Sequence, residues 1–493
     1  MQENQKQPST DVLSANLSTN IIRLKKELPI GKSFDIIARN ITIGGHAGYY
    51  VMINGLVNSN LFLRLFQRFQ SNLETDGVDS ITDFIRIQLG NTEVTRQTEW
   101  KPVITGILSG YTALFIDGFS EGLILDMRNY PARGPEEPDL EKVTRGSRDG
   151  MVETIIFNTA LVRRRIRDPH LVYEIKKVGS RSQTDVAIGY IQGVADDHLV
   201  SHIRETIQNL DTEALVMGEK TLEELMIKKR WYNPFPQAKF TERPDVVSAH
   251  LLEGHVAIFV DTSPSVMLFP ATLFHFTQHS EDYYQNPLVG TFIRWIRFTA
   301  IFISIFFTPT WLLIAENPDS IPAFLSFLVP EEQAYFPLFI QLLLVELNLE
   351  ILRMASIHTP SSLSTAMSII GGLILGEYAI QIQLLTPDTV LFMAISSLAT
   401  YAVPSIEFGM GLRIYRVFIL VTTGLLSYIG YIVGIGTLFW VLYSTRSFSG
   451  LRYTWPLIPF DGKALSNILL RKPIIEVKRQ KEKQQASKEK PVK

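Results

Sequence analysis

FTAIFISIFFTPTWLLIA, residues 298–315, runs for 18 positions without a charged side chain. A stretch of that length asks for hydrocarbon around it, or for the centre of a very large core. Outward from it the chain divides. Residues before about 290 have the polarity of a soluble protein, whereas apolar runs recur up to Tyr443, and Ile414–Tyr443 holds one charge, Arg416. The expectation is an α/β cytoplasmic N-terminal half of two related subdomains, followed by an all-α polytopic transmembrane domain.

Composition narrows the function. A formal net charge of −2 gives no reason to expect a nucleic-acid partner. The absence of cysteine excludes a disulfide framework, a thiolate zinc site, an iron–sulfur cluster and a Cys nucleophile. The first twenty residues, MQENQKQPSTDVLSANLSTN, lack an apolar core and do not read as a signal peptide, so the front half is expected to stay unexported. There is no P-loop, no GxGxxG after a strand, no HExxH and no GxSxG, so neither an enzyme nor a cofactor is read. His198 and His202 stand i,i+4, but with no third ligand evident a solvated helix face is preferred and no metal site is assigned.

The soluble half repeats itself. YYVMINGLVNSNL (Tyr49–Leu61) and AIGYIQGVADDHL (Ala187–Leu199) share an apolar strand, a Gly, a capping turn and an amphipathic helix. GYTALFIDG (Gly110–Gly118) likewise matches GHVAIFVDT (Gly254–Thr262), aligning Gly110 with Gly254 and Asp117 with Asp261. The expected layout is a polar tail at 1–34, a first α/β subdomain at 35–135, a linker at 136–150, a second subdomain at 151–285, a transmembrane domain at 290–445 and a basic cytoplasmic tail at 446–493. Arg163, Arg164, Arg165 and Arg167 close a helix that starts near Met151. They either complement its macrodipole or face the acidic linker of a neighbouring subunit or anionic lipid headgroups.

Five spans are drawn at 295–315, 338–357, 366–386, 389–407 and 414–443. Loop 316–337 has four carboxylates and no Lys or Arg, whereas the basic residues flank the other ends. The positive-inside rule therefore puts the N-terminal half, a loop at Gly409–Arg416 and the tail in the cytoplasm. Five crossings contradict that arrangement. Either one segment is re-entrant, or 414–443 doubles back at one of its glycines.

Two spans carry unusual polarity. Glu346, Glu350 and Arg353 share one face of 338–357, with Gln341 alongside. Intramembrane charges are costly, so these either lock helices together or line a cation-attracting vestibule. Ser361, Thr365, Ser368, Gly372 and Gly376 form one stripe on the next span, with Glu377 near its end. The stripe suits close helix packing, or the lining of a narrow pore around an oligomer axis.

The segment RGPEEPDLEKVTRGSRDGMVETIIFNTALVRRRIRDPHL (133–171), the stretch VELNLEILRMASIHTPSSLSTAMSIIGGLILGEYAIQ (345–381) and PSIEFGMGLRIYRVFIL (404–420) resemble the A subunits of spore germinant receptors, the GerA family. RGSRDG (145–150) and YTWPLIPFDGKALSNILLRKP (453–473) resemble its stage V sporulation branch. The resemblance covers nearly the whole chain. It implies a multi-pass protein of the spore inner membrane that acts in germination as a homo-oligomer around an ion-releasing pore. B and C partner subunits belong to receptor complexes of the family; the stage V branch leaves their presence here open. The pore role would fall on Ser361–Leu385, and less directly on Glu346 and Glu350. A non-conducting scaffold for other germination proteins uses the same features as packing surfaces. A secondary transporter ranks last, because no inverted repeat is seen.

Overall fold

Two five-stranded antiparallel sheets occupy the front of the chain, and their strands are laid down in the same order. The first has the order β1-β2-β4-β5-β3, from β1 (Ile36–Ile43), β2 (His46–Ile53), β3 (Val94–Gln97), β4 (Thr112–Ile116) and β5 (Gly122–Leu125). The second has the order β6-β7-β9-β10-β8, from β6 (Leu171–Val178), β7 (Thr184–Ile191), β8 (Lys239–Thr241), β9 (Val256–Val260) and β10 (Val266–Phe269). The structure is a computed structural model. It describes residues 11–472 apart from 44, 72–80, 83–84, 86–88, 90–92, 132–142, 229, 321, 331–333, 359–368 and 370. Contacts divide the chain into one unit of Met1–Lys228 with Ala238–Pro270, and a second of Lys229–Gln237 with Ala271–Lys493.

Helices match as the strands do. α1 (Leu17–Glu27), α2 (Ser59–Ser71) and α3 (Trp100–Leu108) in the first half correspond to α4 (Ile155–Arg165), α5 (Asp197–Gln208) and α6 (Pro244–Leu252) in the second. The paired aspartates have the same task. Asp117 Oδ1 accepts from Leu17 N at 2.9 Å and Asp261 Oδ1 from Ile155 N at 3.1 Å, each placing a carboxylate at the positive end of a helix. Asn20 clasps both backbone groups of Ser14, as Asn158 clasps those of Val152. Gly110 (φ 93°) and Gly254 (φ 94°) hold left-handed turns before β4 and β9, where a Cβ would be strained.

The first repeat therefore begins about twenty residues before 35. The stretch assigned to a polar tail contains α1, with Leu17, Leu24 and Leu28 buried in the first core. Its apolar residues recur at helical spacing, but LSTNIIRLKKEL is polar on average, and composition hides the stripe. The arginines find partners within this chain, one of them, Asp149, in the stretch read as the linker. Arg163 enters a buried ion pair with Asp35, Arg164 lies over the Tyr130 ring, and Arg165 pairs with Asp149.

The second unit is helical, and its continuous part begins at Ala271, earlier than the boundary drawn at 285–290. Beyond Phe269 the chain has left the sheet, and Asp282 ties residues 271–284 to the next helix through Arg294 and Arg297. α7 (Pro287–Ala315) contains a wider π-type turn at Ile303–Phe307. α8 (Leu338–His358) follows, then a helical stretch with a π-type turn at Ile374–Tyr378, then α9 (Pro387–Tyr401). Residues 406–444 are helical except at Ser427, whose φ of 52° and ψ of −129° break the run into α10 (406–426) and α11 (428–444).

These two helices form a hairpin. Cβ atoms added at Gly434 would lie 2.8 Å from Thr422 Oγ1 and 3.1 Å from Ile419 Cα, and one at Gly430 would overlap the Thr422 carbonyl. Only glycine admits that approach. The Gly409–Arg416 stretch is thus no loop. It lies inside α10, capped by Ser405 Oγ accepting from Phe408 N. That extra length makes room for two antiparallel helices where 414–443 alone looked too short. Among the described residues, two helical runs, Pro287–Ala315 and Ile406–Ser444, are long and apolar enough to cross a membrane. Part of the expected basic tail is also folded: α12 (Gly462–Leu469) packs on α7, and Arg294 Nη1 donates to the carbonyls of Asn467 and Ile468 at 3.0 Å.

Candidate functional site

Arg416, the lone charge of the run Ile414–Tyr443, meets Glu346, one of two acids on α8. The Nη2 group of Arg416 lies 2.6 and 2.9 Å from the two carboxylate oxygens of Glu346. Arg416 is 1% exposed and Glu346 5%. At 1.5 Å per residue, Arg416 sits about 15 Å from either end of α10. A charge at that depth is tolerated when it is paired and most of its donors are satisfied; here Arg416 Nε is buried without a partner.

Three more helix positions supply the acceptors. Arg416 Nη1 donates to the Ser304 carbonyl (3.1 Å), the Ser396 carbonyl (3.2 Å) and Thr400 Oγ1 (3.0 Å). Ser304 lies in the π-type turn of α7, where the regular ladder is interrupted and a carbonyl is released for outside use. Thr308 and Ser396, both fully buried, join hydroxyls beside it. One guanidinium thus gathers α7, α8, α9 and α10.

A turn along α8, Glu350 is held by Arg353 Nε at 2.9 Å and by Arg413 of α10. A cavity of about 250 Å³ opens here, lined by Glu346, Glu350, Met410, Arg413, Ile414 and Val417. Gln341 fixes the start of α8 against α9: its Oε1 accepts from Thr386 N at 2.8 Å and Thr389 Oγ1 at 3.0 Å. The α8 carboxylates therefore face cations on the same chain, an interhelical arrangement rather than an open acidic face.

The small-residue stripe is a different surface. Ser361, Thr365 and Ser368 lie outside the described residues. Gly372 and Gly376 are exposed, and a Cβ added at either would have no heavy atom within 4 Å. Glu377 is exposed beside them, within the Ile374–Tyr378 π-type turn. His198 and His202 lie exposed on α5.

Sequence reasoning named Arg416 and Glu346 separately and did not pair them. A partial signal was present: Glu346 and Arg416, of opposite sign, each lie near the middle of an apolar helix. Ser304, Ser396 and Thr400 gave no signal, because hydroxyl residues are ordinary in such helices and their backbone carbonyls are invisible in a sequence.

The description "Bacillus/Clostridium GerA spore germination protein" matches residues 23–483. The chain is 40% identical over 457 residues to stage V sporulation protein AF of Bacillus subtilis (strain 168), covering 92% of each. It is 32% identical to the membrane protein YfkQ of the same organism, covering 96% of this chain and 91% of that one. It is 31% identical to spore germination protein KA, also of that strain, over 94% of this chain and 85% of that one. A crystal structure of the N-terminal domain of the A subunit of the Bacillus megaterium spore germinant receptor GerK3 aligns with a TM-score of 0.40 at 30% identity, over 52% of this chain and 95% of that chain. With its repeated α/β front, its helical second unit and a family match over most of its length, the chain belongs to the GerA family of spore germination proteins.

Proposed function

We propose that this chain is a multi-pass subunit of a homo-oligomeric channel of the spore inner membrane, which releases ions during germination under control of its cytoplasmic α/β unit. The observation that carries the reading is the uncovered face at Gly372, Gly376 and Glu377. A carboxylate left facing acyl chains costs roughly 2.5–3.5 kcal/mol on insertion scales, so this face calls for water or another subunit. A ring of such faces would enclose a narrow polar conduit. In this reading the α10–α11 hairpin brings the crossings to six, with both chain ends on the cytoplasmic side and 316–337 outside. Other germination membrane proteins are its natural partners, whether or not these include B- and C-type subunits. No cofactor, enzymatic step or nucleic acid has a part.

The full pairing of Glu346 and Glu350 favours a second reading for α8, in which these charges hold helices and conduct nothing. Extended to the whole protein, that reading is a non-conducting scaffold. Ion flux separates the two. The full chain in vesicles loaded with potassium should leak the ion, and Gly372→Leu or Gly376→Leu should block the leak while the protein level holds. Intact vesicles that never leak, with partner binding retained, would establish the scaffold instead.

A further inference from the structure

The excursion Lys229–Gln237 leaves the first unit and belongs to the second. Phe235 anchors it, buried and stacked on Tyr415 with ring centroids 5.4 Å apart and planes 4° from parallel. Asn233 Nδ2 donates to Thr445 Oγ1 at 2.9 Å. Just before these anchors come two aromatic residues, Trp231 turned outward and Tyr232 half-buried. Trp231 is 96% exposed and meets Tyr232 edge-on, and Tyr232 stacks on Trp440 of α11 at 5.7 Å. Tyr443 follows Trp440 by one helical turn, with the Arg452 guanidinium 4.5 Å over its ring.

Arginines frame this surface. Arg446 and Arg452 are bridged across a short turn, and Arg230 Nη1 donates to Tyr232 Oη at 3.0 Å. None of the three has a carboxylate partner among the described residues. Leu451, in the same turn, is 46% exposed. The patch closes α11, which has no charged residue between 428 and 444.

We propose that this patch binds the phosphate of an anionic phospholipid headgroup. The inference rests on the membrane reading of the second unit and adds a ligand to it. An uncharged helix ending in Trp and Tyr places those rings at headgroup depth, where an apolar body and a polar edge are both accommodated. Cations at that depth without acidic partners attract anionic lipid, each contributing about 1 kcal/mol. The planar guanidinium fork suits a phosphate group. A protein partner would need the same apolar rings and three opposing carboxylates at a depth where lipid is already present, so lipid is the occupant the surface favours.

The full chain, wild type and Arg446→Gln/Arg452→Gln, is placed in nanodiscs of phosphatidylcholine alone or with phosphatidylglycerol, and the unfolding midpoint is read. Phosphatidylglycerol should raise the wild-type midpoint, and the double variant should lose at least half of that rise. Brominated phosphatidylglycerol should quench wild-type tryptophan emission more than brominated phosphatidylcholine does, and Trp231→Phe should remove much of the difference; this second reading serves if the arginine variant does not fold. Equal wild-type midpoints in the two lipids, an undiminished rise in the double variant, or the same rise from inorganic phosphate added to phosphatidylcholine discs would overturn the proposal. Ion flux is not measured, so a failure of conduction would be a separate result, and a chain that will not enter nanodiscs would count against the membrane reading itself.

Discussion

Arg163, near the end of α4, holds Asp35, which stands just before β1, in an ion pair with neither side chain more than 1% exposed. The contact joins the two repeats of the first unit. Nε lies 2.8 Å from Asp35 Oδ2, and Nη2 donates to the Leu171 carbonyl at 2.8 Å. Ser33 adds to the joint, its hydroxyl accepting from Tyr173 N at 2.9 Å, while Phe34 N donates to the Tyr173 carbonyl. Two copies of one fold are thus fastened by a charge pair with no equivalent at the matching positions, where Lys25 and His170 stand.

Removing one partner of that pair leaves a buried charge unmatched. Arg163→Met or Asp35→Asn should cost the first unit roughly 3–5 kcal/mol, and the Arg163→Met/Asp35→Leu double variant should recover much of it. Chemical unfolding of the full chain, followed by the signal of its sheets, reads both. Single variants as stable as the wild type would show that the joint is not held by this pair.

The Glu346–Arg416 pair predicts a similar asymmetry inside the helical unit. Arg416→Met strands a carboxylate and frees three acceptors, so folded protein recovered in detergent should fall sharply. Glu346→Gln keeps an acceptor for Arg416 and should be milder. Thermal stability of the two variants, compared side by side, decides the ranking.

The α10–α11 hairpin can be tested by size. Gly430→Leu and Gly434→Leu should open it and lower the yield of folded protein, whereas Gly436→Leu should be tolerated, since a Cβ there would have nothing within 4 Å. The chain has no cysteine of its own. A Thr422→Cys/Gly434→Cys pair should therefore cross-link under mild oxidation, and a Thr422→Cys/Gly436→Cys pair should do so less well. Equal cross-linking would deny the turn at Ser427.

Acid should loosen the second sheet through Glu174. Burial pushes its carboxyl pKa up, but hydrogen bonds from Arg204 and Tyr190 outweigh that, and the net value lies below the ordinary one. The unfolded chain then binds the proton more readily than the folded one. The stabilisation is present above the ordinary carboxyl value of 4.5 and is lost as pH falls through and below it. Arg204→Met should remove about 1 kcal/mol at neutral pH and flatten the decline as pH falls through and below 4.5. Unfolding midpoints across that range provide the check; parallel curves would exclude Glu174 as a contributor.

Some of this was written in the residues themselves. The strand–Gly–cap–helix pattern repeats because each half must bury the same alternating faces, so Ile53 with Ile191 and Asp117 with Asp261 mark equivalent places before any coordinates are known. The apolar run from Phe298 announces a helix that needs a nonpolar surrounding, since periodicity and hydropathy are local properties. Tertiary structure alone decided which distant groups meet. Arg163 chooses Asp35 over its own helix end, Arg416 finds Glu346 and a carbonyl freed by a π-type turn, and Ser427 reverses an apolar run that has no proline to mark it. These outcomes depend on the cost of leaving a buried charge or backbone group unpaired, and that cost is set by neighbours far away along the chain.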